Sequence, residues 1–154
     1  MTIKLMKKLV LTVVMMLVTL TGYSQSYTQK YNSLLDRTEF YDSYGYLIGY
    51  CKKNTLLKQL EYYDSYGYLI KTEKYNSLLD QTETRDQYGN TESTRNYNEM
   101  LDREDIKDEY GRVIGYKKWN DLMKRYEVYD SYGYIVGYYT WNNLLKQWEY
   151  RKAY

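Results

Sequence analysis

A chain of 154 residues with no His, no Pro and one Cys has no material for a His-based triad, a His general base or a zinc centre, nor for a disulfide framework within one molecule. Its 22 basic and 20 acidic residues are interleaved, without the basic stripe that phosphate backbones select, so nucleic acid is not an expected partner. The 24 Tyr and three Trp supply apolar area that aliphatic residues do not. A Tyr ring buries its body while its hydroxyl stays wet, so the composition reads as thin, Tyr-covered β structure.

At the N-terminus, Lys4, Lys7 and Lys8 precede an apolar run from Leu9 to Leu20 and the small or polar Thr21-Gly22-Tyr23-Ser24. That is the layout of a cleavable secretory signal over residues 1–24. The run is shorter than the ~20 residues of a spanning helix, so no membrane span is expected after cleavage. Removing the leader makes Gln25 the first residue, takes three basic residues and no acid, and leaves a net charge of −1. The expected location is secreted or at the cell surface, a bacterial periplasm included.

Residues 25–154 read as one repeat domain. Units of 22 residues begin at Tyr31, Lys53, Tyr75, Tyr97, Trp119 and Trp141, without insertion or deletion. Place two is always Asn, from Asn32 to Asn142, and places four and five are Leu or Met. Place nine is acidic (Glu39, Glu61, Glu83, Asp105, Glu127, Glu149), and the complete units carry Asp-x-Tyr-Gly, namely Asp42 to Gly45, Asp64 to Gly67, Asp86 to Gly89, Asp108 to Gly111 and Asp130 to Gly133. Asp opening a type I turn bonds its own backbone, and Gly at the fourth place takes the left-handed conformation of a G1 bulge. These segments are therefore predicted hairpin tips. The flanking runs are rich in Tyr, Thr, Ile and Leu, as strands are. The Asn-x-Leu-Leu segment is a longer turn whose leucines are expected to fold back over the sheet.

The predicted fold is all-β: an antiparallel meander or slow spiral of hairpins with about 12 short strands, single-layered or solenoid-like. A parallel solenoid would stack the acidic columns as ladders of adjacent like charge ~4.8 Å apart. A meander sets them two strands apart. An open meander leaves an unpaired strand at each edge, a template for another chain. Self-association is thus an expected property, with Lys146 to Tyr150 pairing with Tyr27 to Tyr31 of the next molecule into filaments.

The segment Tyr62-Tyr63-Asp64-Ser65-Tyr66-Gly67-Tyr68-Leu69-Ile70, with copies at 40–48 and 128–136, resembles the Tyr-Asp hairpin of YD (Rhs-type) repeats, and this implies an extended β shell on a secreted or surface protein. Gly115 to Asn120 continuing to Tyr129 to Tyr134 is similar to the aromatic hairpins of choline- and glucan-binding cell-wall repeats, although place nine is acidic where those carry an aromatic. MORN-type repeats of similar length are a weaker match.

No catalytic constellation stands out. The acids of places nine and twelve recur in every hairpin, as structural columns do, whereas a catalytic pair is placed once. Asp-x-Tyr-Gly lacks the successive carboxylates of a calcium loop, and no cofactor is expected. Cys51 stands at place 21, where other units carry Glu73, Arg95, Lys117 or Tyr139, and reads as a tolerated exposed residue. Tyr50, Tyr116 and Tyr138, with Trp119 and Trp141, are the candidate contact residues for a glycan, a choline-like cation or an envelope component, packing across strands being the competing role. Unit three, Tyr75 to Asn96, has Asn90-Thr91-Glu92 where others have Tyr-Leu-Ile, so any such site should be missing there. The expected function is an exported, non-enzymatic scaffold contacting surfaces through rows of tyrosines. A self-assembling fibre subunit and a cell-wall or glycan binding module are the alternatives.

Overall fold

The computed structural model describes residues 26–153. The expected leader over residues 1–24, its expected cleavage junction and Gln25 lie outside the described residues. Twelve strands follow in order: β1 (Tyr27–Asn32), β2 (Arg37–Asp42), β3 (Leu47–Asn54), β4 (Gln59–Asp64), β5 (Leu69–Asn76), β6 (Gln81–Asp86), β7 (Thr91–Asn98), β8 (Arg103–Asp108), β9 (Val113–Asn120), β10 (Arg125–Asp130), β11 (Ile135–Asn142) and β12 (Gln147–Lys152). Each pairs antiparallel with its sequence neighbours, and β1 pairs with β12, so the sheet closes into a barrel.

Closure overturns the expectation of an open meander, spiral or solenoid. The seam is short, Tyr27 to Gln29 opposite Tyr150 to Trp148, but an aromatic cluster inside the barrel seals it. The Tyr27 ring stacks on Tyr150 at 5.2 Å and meets Phe40 edge-on at 6.3 Å. Its hydroxyl lies 2.8 Å from that of Tyr139, and Phe40 stacks on Tyr62 at 6.4 Å. Aromatic pairs of this kind add about 0.5–1.5 kcal/mol each beyond the area they bury. The strands expected to template filaments are paired with each other over these three residues.

One end of the barrel carries the Asp-x-Tyr-Gly turns. Asp42 Oδ1 accepts from the backbone N–H of Tyr44 and Tyr46, both at 2.9 Å, and Gly45 N–H donates to the Asp42 carbonyl at 3.1 Å. The strand register then slips by one residue between Phe40 and Tyr41, as the G1 bulge requires. The other end carries the Asn turns. Asn32 Oδ1 accepts from Leu34 and Leu35 N–H at 3.1 Å, and the turn finishes on Asp36 at φ 47°. Lys58, Asp80, Asp102, Lys124 and Lys146 repeat that left-handed conformation. The paired leucines do not fold back over the sheet. Asn capping holds the turn upright and points them outward, so Leu34 is 91% and Leu56 89% exposed.

Candidate functional site

Alternation along each strand sends places ten and 21 inward, and the two halves of the lumen differ in chemistry. Around the seam the buried inner side chains are Tyr27, Phe40, Cys51, Tyr62, Tyr139 and Tyr150. Across β5 to β9 they are Lys71, Glu73, Thr84, Arg95 and Lys117. Arg95 pairs with Glu73, which also accepts from the Tyr62 hydroxyl at 3.1 Å. Lys117 meets Glu104 at 3.1 Å, and Lys71 reaches Glu92 at 3.9 Å. Burial lowers the affinity of Lys71 and Lys117 for their protons and raises the Glu73 carboxyl, against the opposing pull of Arg95. Burial also raises Glu104, but Lys117 and Arg95 outweigh it and hold that carboxyl low.

The column at place 21 is therefore interior, which corrects the expectation that Cys51 is exposed. The Cys51 thiol is buried, and burial pushes it up to about 12, so it is a protonated, inert core group.

The charged half contains a cavity of about 620 Å³ that opens at the Asp-x-Tyr-Gly end. Its polar side includes Lys71, Glu73 and Arg95, its apolar wall Ile106, Val128, Val136 and Tyr139, and its mouth Asp86, Glu92, Glu109 and Asp130. Three adjacent units leave room for it, since place ten is Thr84, Ile106 and Val128 there and a ring, Phe40, Tyr62 or Tyr150, in the other units. In unit three Asn90, Thr91 and Glu92 also replace the bulkier Tyr-Leu-Ile run. The degenerate unit, expected to lack any site, lines the cavity because it has lost ring volume.

The candidate aromatics lie elsewhere. Tyr50 and Tyr116 are on the outer face, away from the cavity. Tyr50 is held between Tyr63, stacked at 5.1 Å, and Arg37, 4.1 Å over the ring. Tyr116 is similarly placed between Tyr129 at 4.6 Å and Arg103 at 4.0 Å, and Arg125 lies 4.2 Å over Tyr138. Trp119 and Trp141 stand at the Asn-turn rim, edge-on to Tyr126 and Trp148. These five residues are not brought together. Asp42, Asp64, Asp86, Asp108 and Asp130 cap their turns, and Gly45, Gly67, Gly89, Gly111 and Gly133 supply positive φ. Two of these turn residues, Asp86 and Asp130, also reach the cavity mouth.

The acids of place nine form an outer-face clasp with the Asn of place two across the turn. Asn54 donates to Glu61 at 2.7 Å, Asn76 to Glu83 at 2.8 Å and Asn142 to Glu149 at 2.8 Å. Arg125 and the Tyr129 hydroxyl complete the clasp on Glu127 at 2.7 Å. No cluster of His, Cys, Asp or Glu able to hold a metal occurs among the described residues.

No family model and no curated protein matches the chain. Its fold is similar to that of a solved protein. The X-ray structure of the Arabidopsis thaliana protein AT5G01750 superposes with a TM-score of 0.61 over 83% of this chain and 80% of that one, at 13% identity. At that identity the likeness concerns the fold alone. It overturns the resemblance to YD, choline- or glucan-binding and MORN-type repeats, since the short Tyr-Asp hairpins belong here to a closed barrel and not to an extended shell.

Proposed function

We propose that this protein is an exported, non-enzymatic binding barrel that holds a small zwitterion with an apolar portion, of the free amino acid or short peptide class, in the cavity at its Asp-x-Tyr-Gly end. The carrying observation is the ordering of that cavity, with Lys71 and Arg95 buried inside beside the single carboxylate Glu73, an apolar wall along Ile106, Val128 and Val136, and the carboxylates Glu92 and Glu109 at the mouth. A carboxylate entering first meets the cations, and an ammonium left behind meets the acids. Export is supported by the leader pattern of residues 1–24. It is tested by mass spectrometry of the exported protein, where Gln25 or a close neighbour is expected first.

Binding is tested by thermal shift of the mature chain with amino acids and dipeptides, with simple sugars as the comparison. Zwitterions with apolar side chains are expected to raise Tm, and Thr84→Tyr, which restores the ring that other units carry, to abolish the shift while keeping the fold. No shift with any zwitterion, or an undiminished shift in Thr84→Tyr, would sink the reading.

A role in surface contact is retained beside it, favoured by the 86% exposure of Tyr44, Tyr66 and Tyr132 at the turn tips. The place-twenty tyrosines are poor platforms for sugar rings, because neighbouring rings and guanidinium groups already occupy the faces of Tyr50 and Tyr116.

A further inference from the structure

The six Asn turns all lie at the same end of the barrel, since each joins an odd-numbered strand to the next even-numbered one. Every one presents two apolar side chains to solvent. The leading residues Leu34, Leu56, Leu78, Met100, Leu122 and Leu144 are between 89% and 93% exposed. Twelve strands ~4.8 Å apart, tilted as barrel strands are, close into a ring roughly 25 Å across. The apolar tips therefore form a broad convex crown, not a groove. Exposed apolar area that is contiguous and rimmed by polar groups marks an interaction surface.

Aromatic and cationic groups back the tips. Behind the leucines stand the rim aromatics Tyr31, Tyr75, Tyr97 and Trp141, 42% to 58% exposed, with Trp119 beside them. Exposed lysines flank these aromatics on both sides, Lys58, Lys124 and Lys146 in the turns beside the leucines and Lys30, Lys52 and Lys74 on the outer face below. With Lys53 and Lys118 they number eight, and five exposed acids share this end, Asp36, Asp80, Glu99, Asp102 and Asp121; of the place-nine carboxylates at the level of the outer lysines, all but Glu61 are paired with an arginine. Leucine tips backed by Tyr, Trp and long lysines match the acyl boundary and the interfacial and headgroup region of a bilayer, where lysines extend their ammonium groups to the headgroups. We infer that the leucine crown docks the barrel end-on onto a lipid bilayer bearing anionic headgroups, the tips entering the acyl boundary and the lysines lying at headgroup level. A second copy seated crown to crown would instead bring two cationic belts toward each other.

The mature chain, residues 25–154, is sedimented at low ionic strength with vesicles of phosphatidylcholine alone and of equimolar phosphatidylglycerol and phosphatidylcholine, with Trp emission recorded in parallel. Binding and a blue shift are expected with the anionic vesicles. Replacing the six leading residues of the crown by Ser is expected to abolish both, with circular dichroism unchanged because those side chains touch little. Lys58→Gln, Lys124→Gln and Lys146→Gln combined should weaken binding to the anionic vesicles about tenfold or more. Tyr44→Ser with Tyr66→Ser and Tyr132→Ser, at the opposite end, should leave it unchanged. The inference fails if the wild type ignores anionic vesicles, if the Ser variant binds as well as the wild type, or if both vesicle types bind equally. It also fails if the crown mediates only a dimer that the Ser variant dissolves.

Discussion

Gly67, at φ +91°, sits where a β-branched side chain is strained whatever the space around it. Gly67→Val is expected to cost about 1–3 kcal/mol, read as a lower Tm, and an unchanged melt would count against the turn's role. The clasped carboxylates set a pH dependence. At Glu39, Glu61 and Glu127 burial works to raise the carboxyl, but hydrogen bonds from a Tyr hydroxyl and its companions outweigh it and hold each group low. A folded pKa below the unfolded value gives stability that is complete above the unfolded pKa, near 4.3, and lost as pH falls through the folded one. Tm should therefore fall on acidification below about pH 4, and Glu127→Gln should flatten the decline. Glu73, raised by burial, works in the opposite sense. These residues also show where sequence reading stopped. Variation at place 21 reads as exposure, but the column is interior and each member meets a different neighbour: Glu73 and Arg95 pair with each other, Lys117 with Glu104 and Tyr139 with Tyr27.

Turn chemistry is local, so Asp-x-Tyr-Gly and Asn-x-Leu-Leu disclosed the hairpins and their 22-residue spacing. Closure joins strands at opposite ends of the described chain, and the segment that makes it, Tyr27 to Gln29, departs from the repeat in placing a buried ring, Tyr27, where other units carry Gly, Lys or Ser. Nothing in its composition announces a partner in Tyr150 to Trp148. The cavity is illegible for the same reason, since it lies where place ten carries no ring in three adjacent units and is bounded by residues of several strands. At this scale the expected behaviour reverses the filament expectation. By light scattering residues 25–154 should be monomeric in detergent-free buffer without lipid, and residues 34–154 should associate through the exposed edges of β2 and β12. A monomeric truncated variant would show that the seam is dispensable.

Across the whole molecule the lumen is lopsided, aromatic packing on the seam side and ion pairs on the side of β5 to β9. Buried ion pairs return little of their desolvation cost, whereas close-packed rings contribute outright. Native-state hydrogen exchange should accordingly find the amides of β6, β7 and β8 opening before those of β2, β4, β11 and β12. Uniform protection around the ring would remove the basis for treating the cavity side as the compliant one.

The seam has one more consequence. Lys152 N–H approaches Ser26 Oγ at 3.4 Å, and Ala153 N–H donates to the Val136 carbonyl at 3.1 Å, so the first and last described strands finish side by side at the Asp-x-Tyr-Gly end. Their junction occupies the place that a sixth Asp-x-Tyr-Gly turn would take, and the point at which the ring is cut is a matter of connectivity more than of packing. A circular permutant that joins Ala153 to Ser26 through a short Gly-Ser bridge and opens between Ser65 and Tyr66 should refold to the same barrel, with a near-identical circular dichroism spectrum. Failure of that permutant to fold would mean that the covalent link at Asp64 to Tyr68 guides assembly in a way the Tyr27 to Tyr150 seam does not.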